Sequence, residues 1–115
     1  MAAETREGGC HCRAVRYRAT LDLGEPVIAC NCSICRTKGL LLSFVPDDML
    51  QVQQGQGDLA DYRFNTHKIA HRFCRACGVE VFGQVEGKGS AVNVRTLDDV
   101  DISGLKQQFF DGASQ

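Results

Sequence analysis

The chain has no tryptophan and only two prolines among its 115 residues. Long apolar stretches are also missing. The longest run, "GLLLSFV", falls far short of the roughly 20 residues a membrane-spanning helix needs. Nor is there an excess of charge of either sign. Thirteen Lys and Arg stand against 14 Asp and Glu, a formal net charge of −1, which argues against nucleic-acid or membrane binding through bulk electrostatics. The opening "MAAETREGG" has no apolar segment behind a basic head, so it does not read as a secretory signal, and the expected location is the reducing cytoplasm. No run of about 10 or more residues holds a 3.6-residue apolar period, which disfavours an amphipathic-helix protein. Repeats and low-complexity tracts are absent. This length reads as a single domain, with residues 1–7 as a flexible lead-in and residues 8–115 as the domain.

Cysteine, by contrast, is abundant. The seven cysteines fall in three clusters, Cys10-x-Cys12, Cys30-x-Cys32-x-x-Cys35 and Cys74-x-x-Cys77. A disulfide framework suits neither an odd count nor a reducing compartment. Core-packing cysteines would be scattered, and these are not. Thiolates two and three residues apart are what one soft cation needs to be held from a single tight turn, and zinc is the default ion. An iron–sulfur cluster is the minor alternative. Two tetrahedral ions would want eight ligands, so seven sulfurs leave one site short. A structural zinc is closed by four protein ligands, whereas a catalytic zinc keeps a position open. Spacing alone does not divide the sulfurs. Cys10 and Cys12 could join Cys74 and Cys77, leaving the triplet open. Equally, Cys10, Cys12, Cys30 and Cys32 could form one set and leave Cys35 with the C-x-x-C pair.

Histidine is the obvious candidate for the missing ligand. His11 sits between two candidate ligands, where an extended backbone points its side chain away from their shared ion. His67 and His71 are four apart but lack the acidic residue of an H-E-x-x-H zinc helix. Ile69, His71 and Phe73 instead alternate as in a strand that leads into Cys74. All three histidines are therefore read as ordinary strand or loop residues, with metal ligation the minor alternative.

Most of the remaining sequence reads as strand. Val15, Tyr17, Ala19 and Leu21 alternate with polar residues in "RAVRYRATL", the pattern of a half-buried strand. "PVIAC", "LLLSFV", "LADYRFN" (Ala60, Tyr62 and Phe64 inward), "VEVFG" and "SAVNVRTL" are further strands. Pro46-Asp47-Asp48 signals a turn that starts one helical turn, and the polar "QVQQGQGD" reads as a loop. The expected fold class is all-β, with loops carrying the cysteines. An ion shared between positions near 10 and near 75 would fasten distant strands together. Structural zinc supplies about 10–16 kcal/mol apparent, against a domain stability of about 5–15 kcal/mol. Gly8, Gly9 and Gly78 beside those cysteines would let backbone pass close to sulfur or turn through positive φ.

In this order, "GGCHCRAVRY", "CNCSICR", "FCRACG" and "AVNVRTLDD" resemble the glutathione-dependent formaldehyde-activating enzyme family, which includes the centromere protein V domain. The resemblance runs from about Gly8 to residue 99 and takes in all seven cysteines. It implies a zinc-containing β-tent of mostly antiparallel strands. It also implies a division of ligands. Cys10, Cys12, Cys74 and Cys77 would hold a structural zinc, and Cys30, Cys32 and Cys35 a second, catalytic-type zinc that is more labile. The implied activity is a carbon–sulfur lyase reaction joining formaldehyde to glutathione as S-hydroxymethylglutathione.

At a three-sulfur site the vacant position suits a substrate thiol, bound as its thiolate. Three thiolates already offset the charge of the ion, which favours holding the thiol over polarising the aldehyde. Arg36, Lys38 and Arg72 are candidate partners for the carboxylates of glutathione. The expected partners are thus a small thiol and an aldehyde, without nucleic acid or membrane. The alternatives are a zinc-stabilised interaction module, since the domain also occurs in a chromosome-associated protein, and a zinc-handling or redox-sensing protein.

Overall fold

The structure, a computed structural model, describes residues 3–64, 68–85 and 87–114. It is an all-β protein of two sheets. Strands β1 (Glu4–Gly9), β2 (Arg16–Leu21) and β5 (Leu50–Gln54) form the smaller sheet, in the order β1-β2-β5. The larger sheet has seven strands in the order β10-β3-β4-β9-β8-β7-β6. Its members are β3 (Val27–Cys30), β4 (Leu42–Val45), β6 (Leu59–Tyr62), β7 (Ile69–Cys74), β8 (Glu80–Val85), β9 (Gly89–Asn93) and β10 (Gln107–Phe110). Pairing is antiparallel except for β10, which runs parallel to β3. The one α-helix among the described residues is α1 (Ser33–Lys38).

The alternating stretch at β2 behaves as its pattern requires: Val15, Tyr17, Ala19 and Leu21 are all buried. They pack with Val81, Phe82, Val92 and Val94 in the main core between the sheets. The Tyr17 hydroxyl lies 2.7 Å from Thr96 Oγ1, and Arg16 pairs with Asp98. These contacts tie the "RTLDD" segment back to the first hairpin. The turn expected after Pro46 is a 3₁₀ turn at Asp47–Met49.

Four local features differ from the sequence reading. "QVQQ" is not loop but the edge strand β5, because Leu50 and Val52 pair with Ala19 and Tyr17 and reach the core. The glutamines between them face outward and hide the alternation. Tyr62 is exposed rather than inward, since β6 is the last strand of its sheet and has one neighbour. The short helix α1 is six residues long, too few for an apolar period to register. β1 begins at Glu4 and pairs with β2 along its length, within the stretch read from sequence as a lead-in.

Candidate metal centres and the adjoining cleft

Cys10 and Cys12 lie in the turn between β1 and β2, and Cys74 and Cys77 at the turn between β7 and β8. The four sulfurs lie within 4.8 Å of one another and so join a hairpin of one sheet to a hairpin of the other. The sulfur of Cys12 is 3.7 Å from those of Cys10 and Cys74. Two sulfurs on a tetrahedral zinc, each bonded at about 2.3 Å, stand about 3.8 Å apart. The donor set therefore fits that ion. Backbone N–H groups of Val15 and Ala76 point at the sulfurs of Cys10 (3.3 Å) and Cys74 (3.4 Å). Both turns are shaped for this. Arg13 and Gly78 adopt positive φ (68° and 82°), and a side chain on Gly9 would collide with the Val15 carbonyl, 2.2 Å from its Cβ. Gly9 thus serves strand approach rather than contact with sulfur.

Proton affinity is uneven among these thiols. Burial raises the Cys77 thiol, but the backbone N–H groups of Cys12 and Val79 and the neighbouring thiols outweigh it and bring it down to about 6. The Ala14 backbone N–H lowers the Cys12 thiol, yet burial and the thiols around it prevail and push it up to about 11.

The second group is Cys30, Cys32 and Cys35, whose sulfurs also lie within 4.8 Å of one another. Cys30 ends β3, Cys32 is the N-cap of α1 and Cys35 lies buried one turn along it. The helix stops at Gly39, whose φ of 70° and N–H bond to the Cys35 carbonyl close its last turn. Burial opposes ionisation of Cys32, but hydrogen bonds from the Cys35 N–H and thiol outweigh it and lower its value. Burial and the charge of its neighbours raise Cys35. The C-terminal segment closes over this group. Asn31 donates to Asp111 (3.0 Å) and accepts from the Ala113 N–H (2.9 Å), and a Cβ on Gly112 would meet the Cys30 sulfur at 2.5 Å. Among the described residues no fourth Cys, His, Asp or Glu joins the three. The alternative set of Cys10, Cys12, Cys30 and Cys32 does not form.

The triplet lines a cleft of about 610 Å³ on the face of the larger sheet away from the main core. Register explains the cleft. Phe44 pairs with Ala91, Ala91 with Gly83 and Gly83 with His71, one same-face row across β4, β9, β8 and β7. The two central positions carry almost no side chain, so the row is hollow in the middle.

His71 is buried in this wall, its Nδ1 3.1 Å from Glu80 Oε2. The other Glu80 oxygen is 3.1 Å from Lys38 Nζ, and only 1% of the Glu80 side chain is exposed. Phe64 stacks on the imidazole at 5.8 Å. A carboxylate accepts, so Nδ1 is the donor of this contact, and the acid fixes the orientation of the ring in the wall. Sequence reading took His71 for an ordinary strand residue and did not single out Glu80. Glu80 lies nine residues beyond His71 and carries no motif; the alternation of Ile69, His71 and Phe73 was the available signal.

The other sequence candidates are dispersed. Lys38 is engaged by Glu80, and Arg72 pairs with Asp61. Arg36 is exposed in the last turn of α1. His11 is exposed in the turn between its cysteines, and His67 lies outside the described residues. Lys88, which the sequence did not mark, lines the cleft.

Two separate cysteine groups on a two-sheet β framework, one of four sulfurs and one of three, define a small β domain with two sites that could hold metal ions. The sequence matches the profile of the family described as glutathione-dependent formaldehyde-activating enzyme over residues 5–111. The chain belongs to that family. Its structure is similar to the crystal structure of a Rhodobacter sphaeroides protein, a structural-genomics target. The TM-score is 0.81 and the sequence identity 30%, covering 90% of this chain and 99% of that one. Among the described residues no helix is long and apolar enough to cross a membrane.

Proposed function

We propose that this protein makes and breaks the carbon–sulfur bond between a thiol and an aldehyde, with Cys10, Cys12, Cys74 and Cys77 holding a structural zinc and Cys30, Cys32 and Cys35 a second one. The observation that carries the reading is the three-sulfur group lining a cleft whose wall also holds a buried histidine that an acid orients. Zinc in the triplet supplies a position where a thiol binds as its thiolate at neutral pH. The three cysteines act as ligands and not as nucleophiles. His71, held by Glu80 and Phe64, takes the thiol proton on Nε2 and returns it to the aldehyde oxygen. The S–H bond breaks, the S–C bond forms, and the carbonyl π pair becomes the new O–H bond. Nothing is oxidised or reduced, and the reverse sequence is the lyase reaction. Such proton transfer contributes about 10²–10⁴-fold. Glutathione and formaldehyde, the pair in the family's name, are the first substrates to test, and the reducing cytoplasm is the compartment where such thiols stay available.

The test is the exchange rate between labelled formaldehyde and its thiol adduct, followed by carbon NMR with zinc-loaded protein. Wild type is expected to exceed the spontaneous rate. Cys32→Ala should lose the excess while staying folded and keeping one zinc per chain. His71→Asn should keep both zincs and lose about 100-fold in rate. A wild-type rate equal to the spontaneous one refutes the reading. An interaction module would be indifferent to the thiol. A zinc-handling protein would yield its second ion to a chelator without any rate effect.

A further inference from the structure

Resting on the reading of the triplet as a thiol site, we propose that the thiol this cleft takes has an apolar body, an alkyl or aryl thiol or its aldehyde adduct. Ile28, Leu42, Phe44, Ile69, Val85 and Phe110 form its walls. The polar groups in the lining are largely occupied. The Ser90 hydroxyl donates to Asp47 at 3.0 Å, and Glu80 is taken by Lys38 and His71. Among the described lining residues Lys88 is the single Lys or Arg. A tripeptide with two carboxylates and an ammonium would leave charges without partners inside, which is costly, whereas a hydrocarbon chain meets the walls it needs. The volume lies within the range of small-molecule sites, which run from about 300 to 1,000 Å³. The apolar lining continues to the rim, where Phe44 is 66% exposed and Ile69 46% exposed. A chain anchored by sulfur at the triplet would run past Ala91 and Gly83 toward that rim.

Calorimetric titration of the zinc-loaded full-length protein separates this inference from the reading it rests on. The probes are n-alkanols from butyl to octyl, the matching alkanethiols, and glutathione. Affinity for the alkanols should rise about fourfold per methylene up to at least hexyl, because the apolar walls act without sulfur. Gly83→Leu should abolish most of that gain by filling the hollow; a Cβ there meets nothing closer than 3.8 Å, and Ala91→Leu serves if that variant does not fold. Hexanethiol should bind at least tenfold more tightly than both hexanol and glutathione. A flat alkanol series overturns the inference, as does tighter binding of glutathione than of hexanethiol. A climbing alkanol series with thiols no tighter than alcohols supports the apolar cleft and sinks the thiol–metal reading alone. A stable dimer abolished by Phe44→Asp would assign the rim to a second copy and overturn the inference too.

Discussion

Serine replacing a cysteine in either group removes one sulfur, yet the two losses should differ sharply. Cys12 and Cys74, whose sulfurs are 3.7 Å apart, are separated by 62 residues. Cys30 and Cys35 are five apart. A cross-link restricts the unfolded chain according to the loop it closes. The chain-entropy relation gives about 4 kcal/mol for a separation near 62 and about 2 kcal/mol for one near five. Cys74 is also fully buried at the junction of the two sheets, so its variant loses core packing as well. Against a total of about 5–15 kcal/mol, Cys74→Ser should leave little or no folded protein, whereas Cys35→Ser should remain folded with a lowered midpoint. Urea unfolding in zinc-buffered solution measures this. Far-UV circular dichroism is the probe because the chain has no tryptophan. Chelation should mimic Cys74→Ser once the tighter ion is removed, and Cys35→Ser when only the weaker one is. Equal losses for the two variants, or a Cys74→Ser loss under about 1 kcal/mol, would refute the argument that the four-sulfur group is what fastens the sheets.

Other expectations concern buried polar groups. Glu80→Ala leaves His71 and Lys38 without an acceptor, and should cost about 3 kcal/mol. That is the low end for breaking a buried pair, because 26% of the Lys38 side chain is exposed. Glu80→Gln keeps one acceptor oxygen and should cost about 1–2 kcal/mol; a reversed order in urea midpoints contradicts the assigned roles. Burial pushes the Tyr17 phenol up to about 12, above its ordinary value near 10. The folded state thus prefers the neutral phenol. Its contribution is intact below about pH 10 and is lost as pH rises from there through about 12. Tyr17→Phe should show a smaller fall in urea midpoint than wild type between pH 9 and pH 11, and parallel falls would show that Tyr17 is not the group responsible.

The parts legible in the sequence are those whose cause is local. Two-residue alternation places Val15, Tyr17, Ala19 and Leu21 inside because a strand turns every second side chain to one face. The three cysteine clusters are visible because each is held by one turn. How the clusters combine is a matter of which hairpins meet in space. Spacing left two partitions open, and the resemblance chose the one whose sulfurs the structure brings together. Glu80 was invisible for the same reason. Its partners Lys38 and His71 come from a helix and a strand far apart in sequence, and only the pairing of β7 with β8 sets the acid beside the imidazole.

The cleft carries this logic furthest. Gly83 and Ala91 are unremarkable in sequence, a glycine in one strand and an alanine in the next. Antiparallel register sets them side by side between Phe44 and His71, and the sheet is hollow there and nowhere else along that row. The hollow lies on the face away from the main core, so its shape can change without disturbing the packing of Val81, Val92 and Tyr17. Cys30, Cys32 and Cys35 line the cleft from β3 and α1, while the four-sulfur group joins a hairpin of one sheet to a hairpin of the other. A domain built this way can alter what its cleft accepts by changing one or two small residues, with both cysteine groups left as they are. On the proposed reading, the cysteine triplet is where the chemistry would occur, and the row Phe44–Ala91–Gly83–His71 would select the molecules that reach it.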